Sequence, residues 1–278
     1  MKTQAIKQMC KKAFDELVKT VEQGKSEQLK AYLKVMGKFS RYSFRNIILI
    51  QLQKPDATQV AGFWKWKQMG RSVKKGAKGI AILAPIVYRE KRPQEKDEED
   101  DIERDIVRNF KTAYVFDIQD TQGEALPQFS QVKGDPGIYL DRLKSFIESK
   151  GIQLQTKPLY GATQGYSAGG LIVIKSDLAK AECMSTLVHE LAHSLIHRDL
   201  QAKQLDRKIK EIEAEAISYV VCSAIDLELN SAHADYLQLY QGDKEKLLNS
   251  LARIQMVAAE ILEAITQENR IKVAAKAA

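Results

Sequence analysis

Cysteine is scarce in this chain. Cys10, Cys183 and Cys222 are the only three in 278 residues, and they are widely separated with no CxxC pair. That excludes a disulfide framework and a cysteine metal site, and predicts reduced, buried thiols. Long hydrophobic runs are also lacking. No stretch approaches the ~20 apolar residues of a membrane span, and residues 1–15 carry lysines without an apolar core or cleavage site. The expectation is therefore a cytoplasmic protein with no membrane partner. With 6 prolines and 15 glycines, the chain is neither fibrous nor of low complexity. Tryptophan occurs twice and histidine four times. What is present, 44% apolar and 28% charged residues over a length sufficient for two domains, describes a soluble globular protein.

Three of the four histidines fall within residues 187–198, LVHELAHSLIHR, which contains the pattern HExxH. On a helix, His189 and His193 lie one turn apart on one face and can share a zinc-like ion, while Glu190 beside them can hold and deprotonate a water at that ion. Two histidines do not complete a site, so a third protein ligand is needed with one position left open. His197 is a further turn along the same face, ~12 Å from His189 along the axis and out of reach. A metzincin pattern would require glycine at Ile196 and histidine at Asp199, and Asp199 could ligate only if the helix broke at Ile196. Downstream, KEIEAEAISYVVC at 210–222 carries Glu211 and Glu215 on one helical face, eighteen and twenty-two positions after His193. The alternative for these acids is simple pairing with Arg207, Lys208 and Lys210. Glu213 points to another face and is expected to be solvated.

The net charge of +7 conceals an asymmetry. Residues 1–87 contain 18 Lys+Arg against 5 Asp+Glu, a surplus of +13, and the remainder 25 against 31, a net of −6. A basic module joined to a chemically different one suggests polyanion binding, although lysine-rich faces also serve solubility. Within 41–78 there are nine basic residues and one acid, Asp56. Trp64 and Trp66 are interleaved there with Lys65 and Lys67 and followed by Arg71, Lys74, Lys75 and Lys78. Aromatics that stack on bases, set among cations that track phosphates, suit single-stranded nucleic acid. Equally, Phe63, Trp64 and Trp66 could be core under a solvated lysine face.

Helical periodicity is expected over 5–21, from Ser26 through the stripe Leu29, Tyr32, Leu33 and Met36, and after Ser43 up to Pro55. A short strand is expected at 80–83, ended by Pro85, and a returning strand at 112–118. Between them the charged segment 89–108 reads as a solvated hairpin tip or loop. Residues 119–134 read as a linker. A helix follows at 139–150, with Leu140, Leu143, Phe146 and Ile147 on one face. The stretch GYSAGGLIVIKS suggests two strands around a glycine turn, leading into the helix that bears HELAH. Further packing helices are expected at 232–239 and 244–266, with His233 as a structural residue. A strand beside such a helix can pair with an extended peptide.

Two resemblances extend this reading. WKWKQMGRSVKKGAKGIAILAP, preceded by SFRNIILIQLQKP and followed by VFDIQDTQGEALP, resembles the N-terminal single-stranded-DNA-binding domain of ArdC-type antirestriction proteins of mobile elements, over residues 2–128. It implies single-strand binding with little sequence preference, and suggests Arg45, Asn46, Trp64, Lys65, Arg71, Lys74, Lys75 and Lys78 as contacts; the charged loop departs from the pattern. HELAH with the later acids resembles the glutamate-type zincins. This implies Glu211 as third ligand and Glu215 as the acid that orients a histidine from behind, with exchange of the two roles open because the second acid is Glu rather than Asp. ArdC-type proteins carry such a domain too, related to peptidases that cut repressors. The expectation is a two-domain α+β protein, 1–128 binding single-stranded DNA and 129–278 a gluzincin-type metallopeptidase. It would take one divalent ion, zinc or alternatively manganese, and an unidentified protein substrate, with Tyr166, Tyr219 and His233 as candidate oxyanion partners. Two rivals stand beside it: a non-enzymatic protein that shields single strands around a structural or vestigial metal site, and a repressor-cleaving regulatory protease.

Overall fold

The computed structural model describes residues 2–23, 26–90, 104–124, 134–159, 163–196, 205–227 and 243–266; side chains of 26–28, 87–90 and 104–108 are not described. The chain divides into two compact units, Met1–Glu16 with Arg45–Leu126, and Leu17–Phe44 with Pro127–Ala278. Expected boundaries of 1–128 and 129–278 keep 17–44 with the first half, whereas this division assigns that segment to the second.

The first unit holds the start of α1 (Thr3–Glu22), α3 (Phe44–Gln53), the short α4 (Phe63–Gln68) and strands β1 (Val60–Gly62), β2 (Arg71–Val73), β3 (Ile80–Glu90), β4 (Arg104–Asp117) and β5 (Thr121–Gly123). β1, β4 and β3 form an antiparallel sheet in that order, and β2 pairs with β5. Ile6 and Cys10 of α1, Leu49 of α3, and Ala81 and Leu83 of β3 make one buried cluster. β3 does not end at Pro85 but runs on, Pro85 opposite Phe110, because β3 is an edge strand where a missing N–H costs no ladder bond. The outward backbone of this edge is taken up by α3. Asn46 Nδ2 donates to Leu83 O and its Oδ1 accepts from Leu83 N, both at 2.9 Å, while Gln53 bonds Ala81 in the same two-way manner. Side-chain amides thus stand in for a neighbouring strand. The expected linker at 119–134 contains β5 in its first part; 125–133 lie outside the described residues.

In the second unit, α5 (Ile138–Ser149) buries Tyr139, Leu140, Leu143 and Ile147 and ends where Gly151 takes φ 73, a conformation that favours glycine. β6 (Gln153–Lys157), β7 (Gly165–Ala168) and β8 (Leu171–Lys175) form a sheet in the order β6-β8-β7, β6 parallel and β7 antiparallel to β8. Gly169 and Gly170, both at positive φ, make the two-residue turn between β7 and β8. Helix α6 (Lys180–Ile196) packs on this sheet, burying Leu187, Val188, Leu191 and Leu195. α7 (Arg207–Ala224) and α8 (Lys244–Thr266) complete the layer, and α2 (Ser26–Lys38) packs on α7, where Gly37 comes so close that a Cβ would stand 2.8 Å from Val220 O. Residues 228–242, including the helix expected at 232–239, lie outside the described residues.

Candidate functional site

Two helices build the candidate metal centre. α6 presents His189 and His193 one turn apart, and Ser218 Oγ of α7 donates to Ser185 O of α6 at 3.0 Å, which pins the helices side by side and aims Glu211 at the histidines. The two Nε2 atoms are 3.1 Å apart, and Glu211 Oε2 lies 3.5 Å from His189 Nε2 and 3.4 Å from His193 Nε2. All three donor atoms fall within 4.8 Å of one another, the set among the described residues able to hold an ion. Burial lowers the pKa of both imidazoles, and the neighbouring His189 lowers that of His193 further, while Glu211 opposes both shifts. Neutral rings with lone pairs directed at one point and a carboxylate opposite form a donor set that fits a divalent cation.

Glu190 sits on the neighbouring face of α6, 8% exposed. Burial raises its pKa, opposed mainly by hydrogen bonds from the Ser167 hydroxyl and backbone N–H and by the nearness of His193. That N–H is available because of strand register. Lys175 N donates to Gln164 O, and Tyr166 pairs with Val173, so Gly165 and Ser167 turn their backbone away from β8. β7 and α6 meet closely: a Cβ on Gly165 would lie 2.8 Å from Thr186 Cγ2 and 3.0 Å from Val173 O. Above them opens a cleft of about 770 Å³ lined by β7, the glycine turn, both histidines, Glu190 and Glu211. Tyr166 lines it as well; Tyr219 is half-buried and does not. Glu215, one turn beyond Glu211, is half-buried and outside the converging set. Glu213, expected in solvent, is wholly buried. Its carboxylate accepts from Arg253 of α8 at 2.5 and 3.1 Å, and Arg253 also reaches Ser250 Oγ at 3.0 Å. His197, Asp199 and His233 lie outside the described residues.

In the first unit the two tryptophans separate. Trp66 is fully buried with its Nε1 donating to Phe116 O at 2.8 Å. Trp64 is 70% exposed, edge-on to exposed Phe63 and with Lys67 Nζ 5.4 Å from its ring centre. Arg45, Lys65, Lys74, Lys75 and Lys78 are exposed, Lys74 Nζ donating to Gln119 O. Two other suggested contacts are committed elsewhere. Asn46 is buried and fully used on β3, and the Arg71 guanidinium donates to Thr121 Oγ1 and O, Gly123 O and Glu124 O, clamping β5. Phe63 and Tyr114, both exposed, were not among the suggested contacts. Gly79 is the signal beside Tyr114, since a Cβ there would come within 3.1 Å of that ring.

Residues 4–116 match the family model of the N-terminal domain of anti-restriction factor ArdC, and residues 147–262 match that of the IrrE N-terminal-like domain, peptidase M78. An uncharacterized protein of Bacillus anthracis is 23% identical over 95% of this chain; the chain spans about half, 52%, of that relative. Among solved structures, the metal-free antirestriction protein ArdC of plasmid R388 is 20% identical, covering 81% of this chain and 86% of that one with a TM-score of 0.46. Its Mn(II)-bound form is 18% identical, covering 93% and 98% with a TM-score of 0.49. Among the described residues no helix is long and apolar enough to cross a membrane. The chain joins an N-terminal domain of the ArdC type to an IrrE-like domain of the peptidase M78 type.

Proposed function

We propose that the protein is an antirestriction-type factor that binds single-stranded DNA with little sequence preference through its first unit and hydrolyses peptide bonds in its second. The observation carrying the enzymatic half is the convergence of His189, His193 and Glu211 beside a buried Glu190 at the foot of an open cleft. A divalent ion held by that set, zinc by its two imidazoles and carboxylate or alternatively manganese, supplies a Lewis acid for the scissile carbonyl and acidifies water. The chain's own residues do the rest. Glu190, its pKa raised by burial, is a stronger base than a solvated carboxylate; it takes the proton of the attacking water and returns it to the leaving amine. Ser167 holds that carboxylate in place. The outward backbone of Gly165 and the carbonyl of Ser167 give an extended peptide an edge to pair with. Gly165 and Ser167 face α6, so the Tyr166 side chain between them leaves from the other face of β7 and is not assigned to the carbonyl oxygen; Glu215 is assigned to orienting a ligand histidine.

For the DNA half, Trp64 offers a stacking face, and Lys65, Lys74, Lys75, Lys78 and Arg45 offer phosphate contacts. Three free cysteines, two buried and one half-buried, suit the reducing cytoplasm. A purely structural metal site would be closed and would have no use for a buried carboxylate in Glu190's place. The test is Glu190→Gln. It is expected to retain metal, by elemental analysis, and single-strand affinity, by fluorescence anisotropy, while peptide hydrolysis falls by about two to four orders of magnitude, the range for loss of a general base. Full restriction protection by this variant, with no hydrolysis detectable in the wild type, would assign the protein to the non-enzymatic reading.

A further inference from the structure

The charged residues lining the metal cleft have an unequal distribution. Among the described residues, and apart from the ligands His189, His193 and Glu211 and the base Glu190, they are Lys150, Arg207 and Lys210, all basic. Composition does not explain this, because residues 88–278 carry an excess of acid, 31 against 25. A bound divalent ion would be neutralised by Glu211 and Glu190 together, so the remaining side chains set the sign of the cleft. Lys150 is offset, with Glu260 Oε1 at 2.6 Å and the Phe146 ring at 4.8 Å. The cationic wall is therefore the first turn of α7, where Arg207 is exposed one helical turn before Glu211 on the same face and Lys210 adjoins it. Asp206 caps this helix by accepting from Lys208 N, and the helix start adds its own positive field. Across the cleft, Gly165, Gly169 and Gly170 present backbone without side chains. That wall reads a peptide's main chain, which leaves selection among side chains to α7.

We infer that the cleft selects an extended peptide bearing an acidic side chain within about two residues of the bond placed at the metal centre, with Arg207 as the specificity residue. The inference rests on the peptidase reading of this site. Spacing sets the distance: Arg207 is about 6 Å along the axis from Glu211, less than two residues of extended chain.

Binding tests the inference apart from catalysis. Three labelled short peptides sharing one apolar frame and carrying Glu, Gln or Lys residues are titrated by anisotropy into metal-loaded Glu190→Gln. The Glu peptide is expected to bind about fivefold tighter than the Gln peptide, from a partly desolvated ion pair with Arg207, with the Lys peptide weakest. Raised salt should narrow the gap. Arg207→Glu in the same background should invert the order while metal content and melting temperature stay unchanged. Equal binding of the three peptides, no binding of any, or a preference that survives Arg207→Glu overturns the inference. So does an oligothymidylate that displaces the peptide in an Arg207-dependent manner, which would assign the cleft to nucleic acid. Charge-blind hydrolysis by the wild type defeats the acidic preference while leaving the peptidase reading intact. Acidic preference in binding with no hydrolysis of any peptide does the reverse.

Discussion

Trp64 and Trp66 are two positions apart in a lysine-rich run and have opposite fates, which makes them a controlled pair. Trp66→Ala removes a fully buried indole and orphans the Phe116 carbonyl, so a loss of about 3–5 kcal/mol is expected in denaturant unfolding. Trp64→Ala removes an exposed ring and should leave the unfolding midpoint in place while costing about 1–3 kcal/mol of single-strand affinity. Equal single-strand affinity in Trp64→Ala and wild type would place the nucleic acid elsewhere. The histidines give a pH prediction. Both folded-state values lie below the ordinary imidazole value, so on acidification the unfolded chain takes up protons before the folded one does. Stability of the metal-free protein is therefore full above the ordinary imidazole range and declines as pH falls through it toward the folded values. Unfolding midpoints at neutral and mildly acid pH should show that decline, and His193→Gln should reduce it. At this scale the sequence was legible where chemistry has a spacing: His189 and His193 stand one turn apart with their Nε2 atoms 3.1 Å from each other, whereas spacing left Glu211 and Glu215 equivalent and only the resemblance to glutamate-type zincins favoured Glu211. The sequence was not legible for Asn46, whose amide is spent on β3, nor for Arg71, because polar surface residues and polar clips share a composition.

Elements place these residues, and β7 does so with little tolerance. Gly165→Ala would push a methyl group against Thr186 Cγ2 and Val173 O, so β7 must shift from α6 and carry Ser167 off Glu190. Overpacking of this kind costs about 1–3 kcal/mol. Metal content should persist while peptide hydrolysis falls, and adding Thr186→Ser, which deletes the obstructing methyl, should restore part of the rate. Hydrolysis unaffected by Gly165→Ala would mean that the contact between β7 and Glu190 does not position the base. The strands around the glycine turn and the HELAH helix follow from local signals that act at short range. Glu213 shows the opposite case. Its partner Arg253 is forty residues away, and nothing in the periodicity of KEIEAEAISYVVC distinguishes an acid facing solvent from one bound bidentately to a later helix. Continuation of β3 past Pro85 likewise depends on its edge position, a property of the assembled sheet.

At the scale of the whole molecule, the resemblance over residues 2–128 and the linker expected at 119–134 suggest a division near 128, yet the second unit also takes in Leu17–Phe44. The reason is α2. Leu29, Leu33 and Met36 are fully or almost fully buried, and α2 packs on α7, the helix that carries Glu211, with Gly37 against the α7 backbone at Val220. Three such side chains contribute about 1.5–3 kcal/mol each, a sum comparable to the whole stability of an ordinary domain. A fragment of 127–278 would leave that face of α7 in water, although it contains His189, His193 and Glu211. It is expected to show no cooperative thermal transition, to aggregate, and to bind metal far more weakly than the full chain in chelator competition. A fragment of 17–278, which restores α2, should regain a cooperative transition that rises on adding metal, since an ion bound only by the folded state stabilises it. If 127–278 melts as 17–278 does and binds metal equally well, α2 is dispensable to the metal centre and the second unit is continuous in sequence.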